Sequence, residues 1–358
     1  MTKEDNDQPS LPGIPPTRAK APNETAFARI LDRVKFMQEI RIRQHEQTSA
    51  DAESSGAPKE PARNKPARRE AKSARLFVIM AREAPFAVVF RRGPSKQVRL
   101  IAWHTDEDRF EGGQWFKGRI YERRCDLSPD GRYLIYFAAN HKAPPYSWTA
   151  ISRPPYLTAL AFWPKFDCWE GGGLFEDARN IWLNDELSNP EKSTNDLPDT
   201  LQLCGKGFGG EDQPIYGVRL LRDGWRLAQE GRYRHVRWNE RDRSGYSFPY
   251  DPPQIWERRS VTGALLRMVI HGMGEVSGDG YVVTHEIVTA NRETVDLGRT
   301  DWADWDRNGD LLFAMNGKLF RLSPGVGGGF DPADSREIAD FNGDRFRAIP
   351  PSDEAKRW

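Results

Sequence analysis

Two twelve-residue stretches of this chain align without a gap. Residues 125–136 read CDLSPDGRYLIY and residues 303–314 read ADWDRNGDLLFA, which places Asp126 on Asp304, Asp130 on Asn308 and Gly131 on Gly309. Each is a turn dipeptide, Asp-Gly or Asn-Gly, feeding a short apolar run. Glycine supplies the positive φ such a turn needs, and the Asp or Asn side chain stabilises it. Fainter copies are LRDGWRL (221–227), SGDGYVV (277–283) and FNGDRFRA (341–348), and Asn316-Gly317 sits between LLFAM and KLFRL. Asp130, Gly131, Asn308 and Gly309 are therefore structural turn residues, and Asp126 and Asp304 are expected to bond backbone at those turns.

The segments around these turns carry the same texture. LFVIMA (76–81), FAVVFR (86–91) and QVRLIAW (97–103) are short β-branched or aromatic runs separated by turn residues. One stretch, EDARNIWLND after Gly173, has a helical alternative, and no other run beyond residue 75 has helix-length periodicity. The fold class is all-β. Hairpins repeated over such a length suggest an irregular β-propeller, whose four-stranded blades bury their faces on one another. SPDGRYLIYFA and DRNGDLLFAMNGKLFRL resemble repeats of TolB-like and WD40-like propellers, a likeness that implies stacked blades and brings no catalytic residues. Intervals of 93, 56, 29 and 34 residues separate Gly131, Gly224, Gly280, Gly309 and Gly343. A regular propeller repeats every ~40–50 residues, so some blades lack the signature or carry insertions; about five to seven blades are expected. The polar, glycine-rich stretch 185–214 reads as one insertion. A pair of β-sandwiches is the competing fold.

Composition divides the chain. All 12 tryptophans lie at or beyond Trp103, whereas residues 1–75 hold only Phe27 and Phe36 as aromatics. Prolines 9, 12, 15, 16 and 22 punctuate a start too poor in apolar groups to offset ordering entropy. Phe27, Ile30, Leu31, Val34, Met37 and Ile40 then mark one face of an amphipathic helix over 24–46, capped by Asn23. Residues 47–75 form a linker that is basic from Arg63 to Arg75. It has no interleaved aromatics for base stacking, so nucleic acid is an unlikely partner. Residues 1–75 carry 15 Lys/Arg against 11 Asp/Glu, which leaves 38 against 41 for residues 76–358. A body with that balance is no general polyanion binder. No run approaches the ~18 apolar residues of a membrane span. Three unclustered cysteines and an apolar-poor N-terminus fit the cytoplasm.

Candidate chemistry is sparse. Asp304, Asp306 and Asn308 match half of a calcium loop, but Met315 stands where the bidentate glutamate belongs, and the turn reading explains both copies. Cys204-Gly-Lys206-Gly-Phe-Gly-Gly210 does not fit a phosphate loop and reads as a flexible loop. The six histidines form neither HxH nor HExxH, and there is no GxSxG elbow. No metal or cofactor is implied. The densest aromatic stretch, with Trp163, Asp167, Trp169, Glu170 and Trp182, lines a ligand or partner site in one reading and packs blade faces in the other. Two functions follow. One is a non-enzymatic protein-interaction scaffold with the tethered helix as a second contact. The other is a propeller-based hydrolase or lectin-like protein acting on or binding carbohydrate through carboxylates and aromatics, which needs two carboxylates facing across a pocket.

Overall fold

The computed structural model describes residues 73–93, 96–142, 145–184, 197–204, 212–234, 246–275, 280–289 and 291–358. The expected helix over 24–46 and the basic residues 63–72 lie outside the described residues. So do the glycine-rich loop from Gly205 to Gly210 and most of 185–214.

Strands gather locally into five sheets in chain order. The first is a four-stranded meander: Arg75–Met80, Phe86–Arg92, Gln97–His104 and Arg109–Lys117. Val78 faces Val89 and Val89 faces Ile101 in register. Burial runs on without alternation, from Leu76 to Ile79 and from Ala87 to Arg91, because both faces of this sheet are covered. The second sheet comprises Leu134–Ala139, Ser147–Ser152 and Ala161–Lys165, with Arg119–Ile120 and Asp126–Leu127 both paired to Leu134–Ala139 as one interrupted strand.

The third sheet is small. Gly173–Phe175 pairs antiparallel with Asn180–Leu183, and Gln202–Cys204 adds a parallel strand. The helical alternative fails over its described residues, 176–184. Asp177 Oδ1 accepts from the N–H groups of Arg179 and Asn180, which fixes a turn rather than a helical start. The fourth sheet is the largest, five strands from Arg226 to Arg299 centred on Tyr246–Arg259 and Leu265–Glu275. The fifth runs Trp302–Trp305, Leu311–Met315, Lys318–Leu322 and Arg336–Asp340.

Between the third and fourth sheets lies α1 (Asp212–Arg222), the one α-helix among the described residues. Its Ile215, Tyr216 and Leu220 are buried. The LRDGWRL copy is the C-terminal end of this helix, not a hairpin. Gly224 takes φ +87° and Trp225 N–H bonds back to Leu220 O, which ends the helix and starts a strand. FNGDRFRA also departs from the hairpin pattern, since no strand follows Gly343. The two strong copies hold. Gly131 and Gly309 have φ +77° and +90°, and each donates its N–H to a carbonyl three residues back, Ser128 or Asp306. In the second copy the bonding carboxylate is Asp306, not Asn308: it accepts from Asn308 and Asp310 N–H. Asn316 and Gly317, at φ 54° and 77°, make a two-residue hairpin turn.

Neighbouring sheets touch through a few strands and through α1. Arg75–Met80 packs on Asp126–Leu127 and on Trp302–Trp305; Asp126–Leu127 packs on Gly173–Phe175; α1 touches Gly173–Phe175 and Arg226–Gln229; Leu265–Glu275 touches Trp302–Trp305. The contacts thus link the first sheet to the second and fifth, the second to the third, the fourth to the fifth and, through α1, the third to the fourth. Residues 341–358 then run over the first two sheets. Arg91 donates to Phe341 O, Arg99 pairs with Asp344 at 2.5 Å, Gln114 donates to Ile349 O, and Trp358 packs on Tyr133 at 5.6 Å. One apolar core of buried side chains joins the first, second, fourth and fifth sheets, and a smaller one underlies the second and third.

Candidate functional site

The contacting strands and α1 border a partly open cavity of about 540 Å³. Its walls come from the first inner strand (Phe77 to Ala81), α1 (Tyr216, Arg219, Leu220, Arg222), the fourth sheet (Arg258, Met268, Val283, His285) and the inner strand of the fifth (Asp301 to Arg307). A second cavity of about 60 Å³ shares Phe77, Arg123, Val283 and Asp301 with the first, so these four residues partition one internal space.

Six arginines line the large cavity: Arg82, Arg123, Arg219, Arg222, Arg258 and Arg307. Asp223, Asp301, Asp304 and Asp306 line it too. Asp126 and Asp304, equivalent in the repeat, have equivalent partners. Asp126, 1% exposed, receives two bonds from Arg222 at 2.5 and 2.9 Å and one from Phe175 N–H. Asp304 pairs with Arg258 and accepts from Trp305 N–H. Neither bonds its own turn as expected; Asp126 ties its strand to the third sheet and α1, which follow it, and Asp304 ties its strand to the fourth sheet, which precedes it. Asp306 and Asp310 pair with Arg321, which Asp108 also grips. A guanidinium therefore fills the centre that the half calcium loop would give a cation. Among the described residues no group of three or more His, Cys, Asp or Glu is placed to hold a metal.

Burial sets the electrostatics. It raises Asp304 above the ordinary carboxylate value even though Arg258 pulls the other way. Burial works to lower Arg222, but Asp126 and Asp223 overcome it and the guanidinium stays firmly charged. Arg82 is depressed first by burial and then by the charge of Arg222. His285, 2% exposed and bonded to Thr300, is held down at about 3, first by burial and then by Arg123.

The aromatic stretch singled out in the sequence lies elsewhere. Trp163 is buried in the smaller core. Asp167, Trp169 and Glu170 share the loop after Ala161–Lys165. Asp167 Oδ1 accepts from Trp169 N–H, and Glu170 faces Lys165 at 3.5 Å. Trp182 stands on the third sheet, where its indole donates to Glu176. Trp182 packs with Leu174 and Ile215. So the structure gathers three of the five into one loop and separates the other two. Phe166 and Trp169 in that loop are 84% and 44% exposed, and Phe162 just before it is 37% exposed. Arg124, 3% exposed, holds the loop from below by donating to the carbonyls of Cys168, Trp169 and Glu170.

Sequence reading missed the arginines. They are scattered from residue 82 to 307 with no spacing that groups them. The one available signal was the pair of repeat-equivalent aspartates, which need cations once buried. By fold the chain is a mostly-β protein of five sheets with an arginine-lined internal cavity. No family model and no curated protein matches it. Among the described residues no helix is long and apolar enough to cross a membrane.

Proposed function

We propose that the chain is a cytoplasmic protein-interaction scaffold built on a five-bladed, irregular β-propeller. The closed circuit of contacts between successive sheets supports the propeller, with α1 completing the thin third blade and residues 341–358 clasping the first two. Three free cysteines fit a reducing compartment.

The observation that carries the scaffold reading is the aromatic loop. Phe166 and Trp169 project from it, with Phe162 on the strand just before, while Arg124 fixes three consecutive carbonyls beneath. Exposed aromatics on a backbone held in place are what binding hot spots use, because little ordering entropy remains to be lost on docking. The carboxylates facing the cavity are engaged with Arg222, Arg258, Arg321 or the N–H of Leu76. That leaves the carbohydrate-hydrolase alternative without a spare acid–base pair. The helix over 24–46 supplies a second contact in this reading.

The test is affinity capture from native extract with the full chain and with a Phe166→Ser/Trp169→Ser pair. The pair is expected to keep its melting temperature and to lose proteins that the parent retains. Identical recoveries would overturn the scaffold reading at this loop. Binding to an oligosaccharide array, lost in the same pair, would support the lectin-like alternative instead.

A further inference from the structure

The central cavity has more cationic groups than its carboxylates satisfy. Of the six arginines, Arg222 and Arg258 have carboxylate partners within 3.0 Å. Arg219 spends its donors on the carbonyls of Glu122 and Cys125, Arg82 on those of Phe175 and Glu176, and Arg307 donates to Arg82 O. The Nε atoms of Arg82 and Arg123 are buried and have no hydrogen-bond partner. Arg123 is only 8% exposed, and its contact with Glu122 is 4.0 Å, at the limit of an ion pair. Glu122 is already committed, gripping Arg92 with both oxygens at 2.7 and 3.0 Å.

The positions of these groups are informative. Arg82 and Arg222 both donate to Phe175 O, at 3.0 and 2.7 Å, so two guanidinium groups crowd one carbonyl at one end of the cavity. Arg123 lies 5.3 Å from the ring centre of Phe77, at the other end of the strand Arg75–Met80. Phe77 lies within that strand and Arg82 just past its end. The mixed lining includes the apolar Ile79, Leu220 and Met268. A buried guanidinium with an unmet donor costs free energy unless an acceptor arrives. Arginine's planar fork suits carboxylate and phosphate oxygens. The cavity volume falls within the ~300–1,000 Å³ of small-molecule sites.

We propose that the cavity binds a small organic oxyanion, with a phosphoester or carboxylate head taken by Arg82 or Arg123 and an apolar body against the strand between them.

The test uses the full-length chain and isothermal titration at low salt, with phenyl phosphate, benzoate and benzyl alcohol as probes. At least one anion is expected to bind and the alcohol is not. Phenyl phosphate alone would assign the head to phosphoesters, benzoate alone to carboxylates. Arg82→Gln or Arg123→Gln is expected to weaken that binding at least tenfold. Arg109→Gln, altering a surface residue paired with Glu107 outside the cavity, is expected to leave it unchanged. If Arg123→Gln fails to fold, Arg123→Lys, which keeps the charge and loses the planar fork, takes its place in the comparison. No binding of either anion, or binding untouched by both cavity variants, overturns the proposal.

Discussion

Replacing Asp126 with Asn tests whether inter-sheet ion pairs hold the molecule together. Asp126 joins three elements: its own strand, the third sheet through Phe175 N–H at 2.8 Å, and α1 through Arg222 at 2.5 and 2.9 Å. Breaking a buried ion pair by removing one charge typically costs ~3–5 kcal/mol. Two features place this case at the lower end. Arg222 keeps Asp223 at 2.8 Å, and an Asn carbonyl can still accept from Phe175. A loss of about 3 kcal/mol is therefore expected. In a domain of this size that corresponds to a melting temperature lower by roughly 6–12 °C. Asp126→Ala also strands the Phe175 N–H and costs a further ~1–3 kcal/mol. Denaturant melts of Asp126→Ala, Arg222→Ala and the double variant should give a coupling of about 2 kcal/mol. An Asp126→Asn loss below ~1 kcal/mol, or single losses additive to within ~0.5 kcal/mol, would refute the reasoning.

Three further outcomes are expected. Gly131→Val should cost about 2–3 kcal/mol, because a β-branched residue is strained at φ +77° and a Cβ there would sit 2.7 Å from the Phe86 ring; Gly309→Val should also destabilise, whereas Gly327→Ala, with open space around it, should lose only the backbone part, all by thermal melts. His285 titrates near 3 when folded against 6.5 ordinarily, so the unfolded chain binds the extra proton between those values. Its contribution is whole above pH 6.5 and is lost as pH falls toward 3, by up to ~1.4 kcal/mol per unit; His285→Gln should flatten that part of a stability–pH profile, and an unchanged slope would contradict it. Deleting residues 1–70 should leave a cooperative melt at the parent temperature, while a collapsed transition would place the helix over 24–46 in the core.

The hairpins were legible because their determinants are local. Asp-Gly and Asn-Gly at 130–131, 308–309 and 316–317 encode their turns within four residues, and the strands beside them follow from β-branched and aromatic runs. α1 was not legible for equally physical reasons. Pro214 and Gly217 depress its helix propensity, and its apolar residues are too few to mark a face. Its last two residues precede Asp223-Gly224, a dipeptide that serves as a helix C-terminus here and as a hairpin turn elsewhere. The dipeptide alone cannot distinguish the two, because both need only a residue at positive φ.

The same reasoning separates two kinds of charged residue that look alike in the sequence. Arg109 and Arg222 are each one arginine among many, yet one side chain is 55% exposed and the other 16%. What differs is tertiary: Arg222 projects from a helix wedged between sheets, toward an aspartate 96 positions earlier. Repeat equivalence narrows the problem. Asp126 and Asp304 occupy matching places on strands that face neighbouring elements, so a cation from a neighbour is required at each. Arg222 and Arg258 meet that requirement. Arg82 and Arg123 have no such matching carboxylate. An evenly compensated interior would be sufficient for stability alone; two unmet guanidinium donors beside a cavity instead point to a partner that arrives after folding.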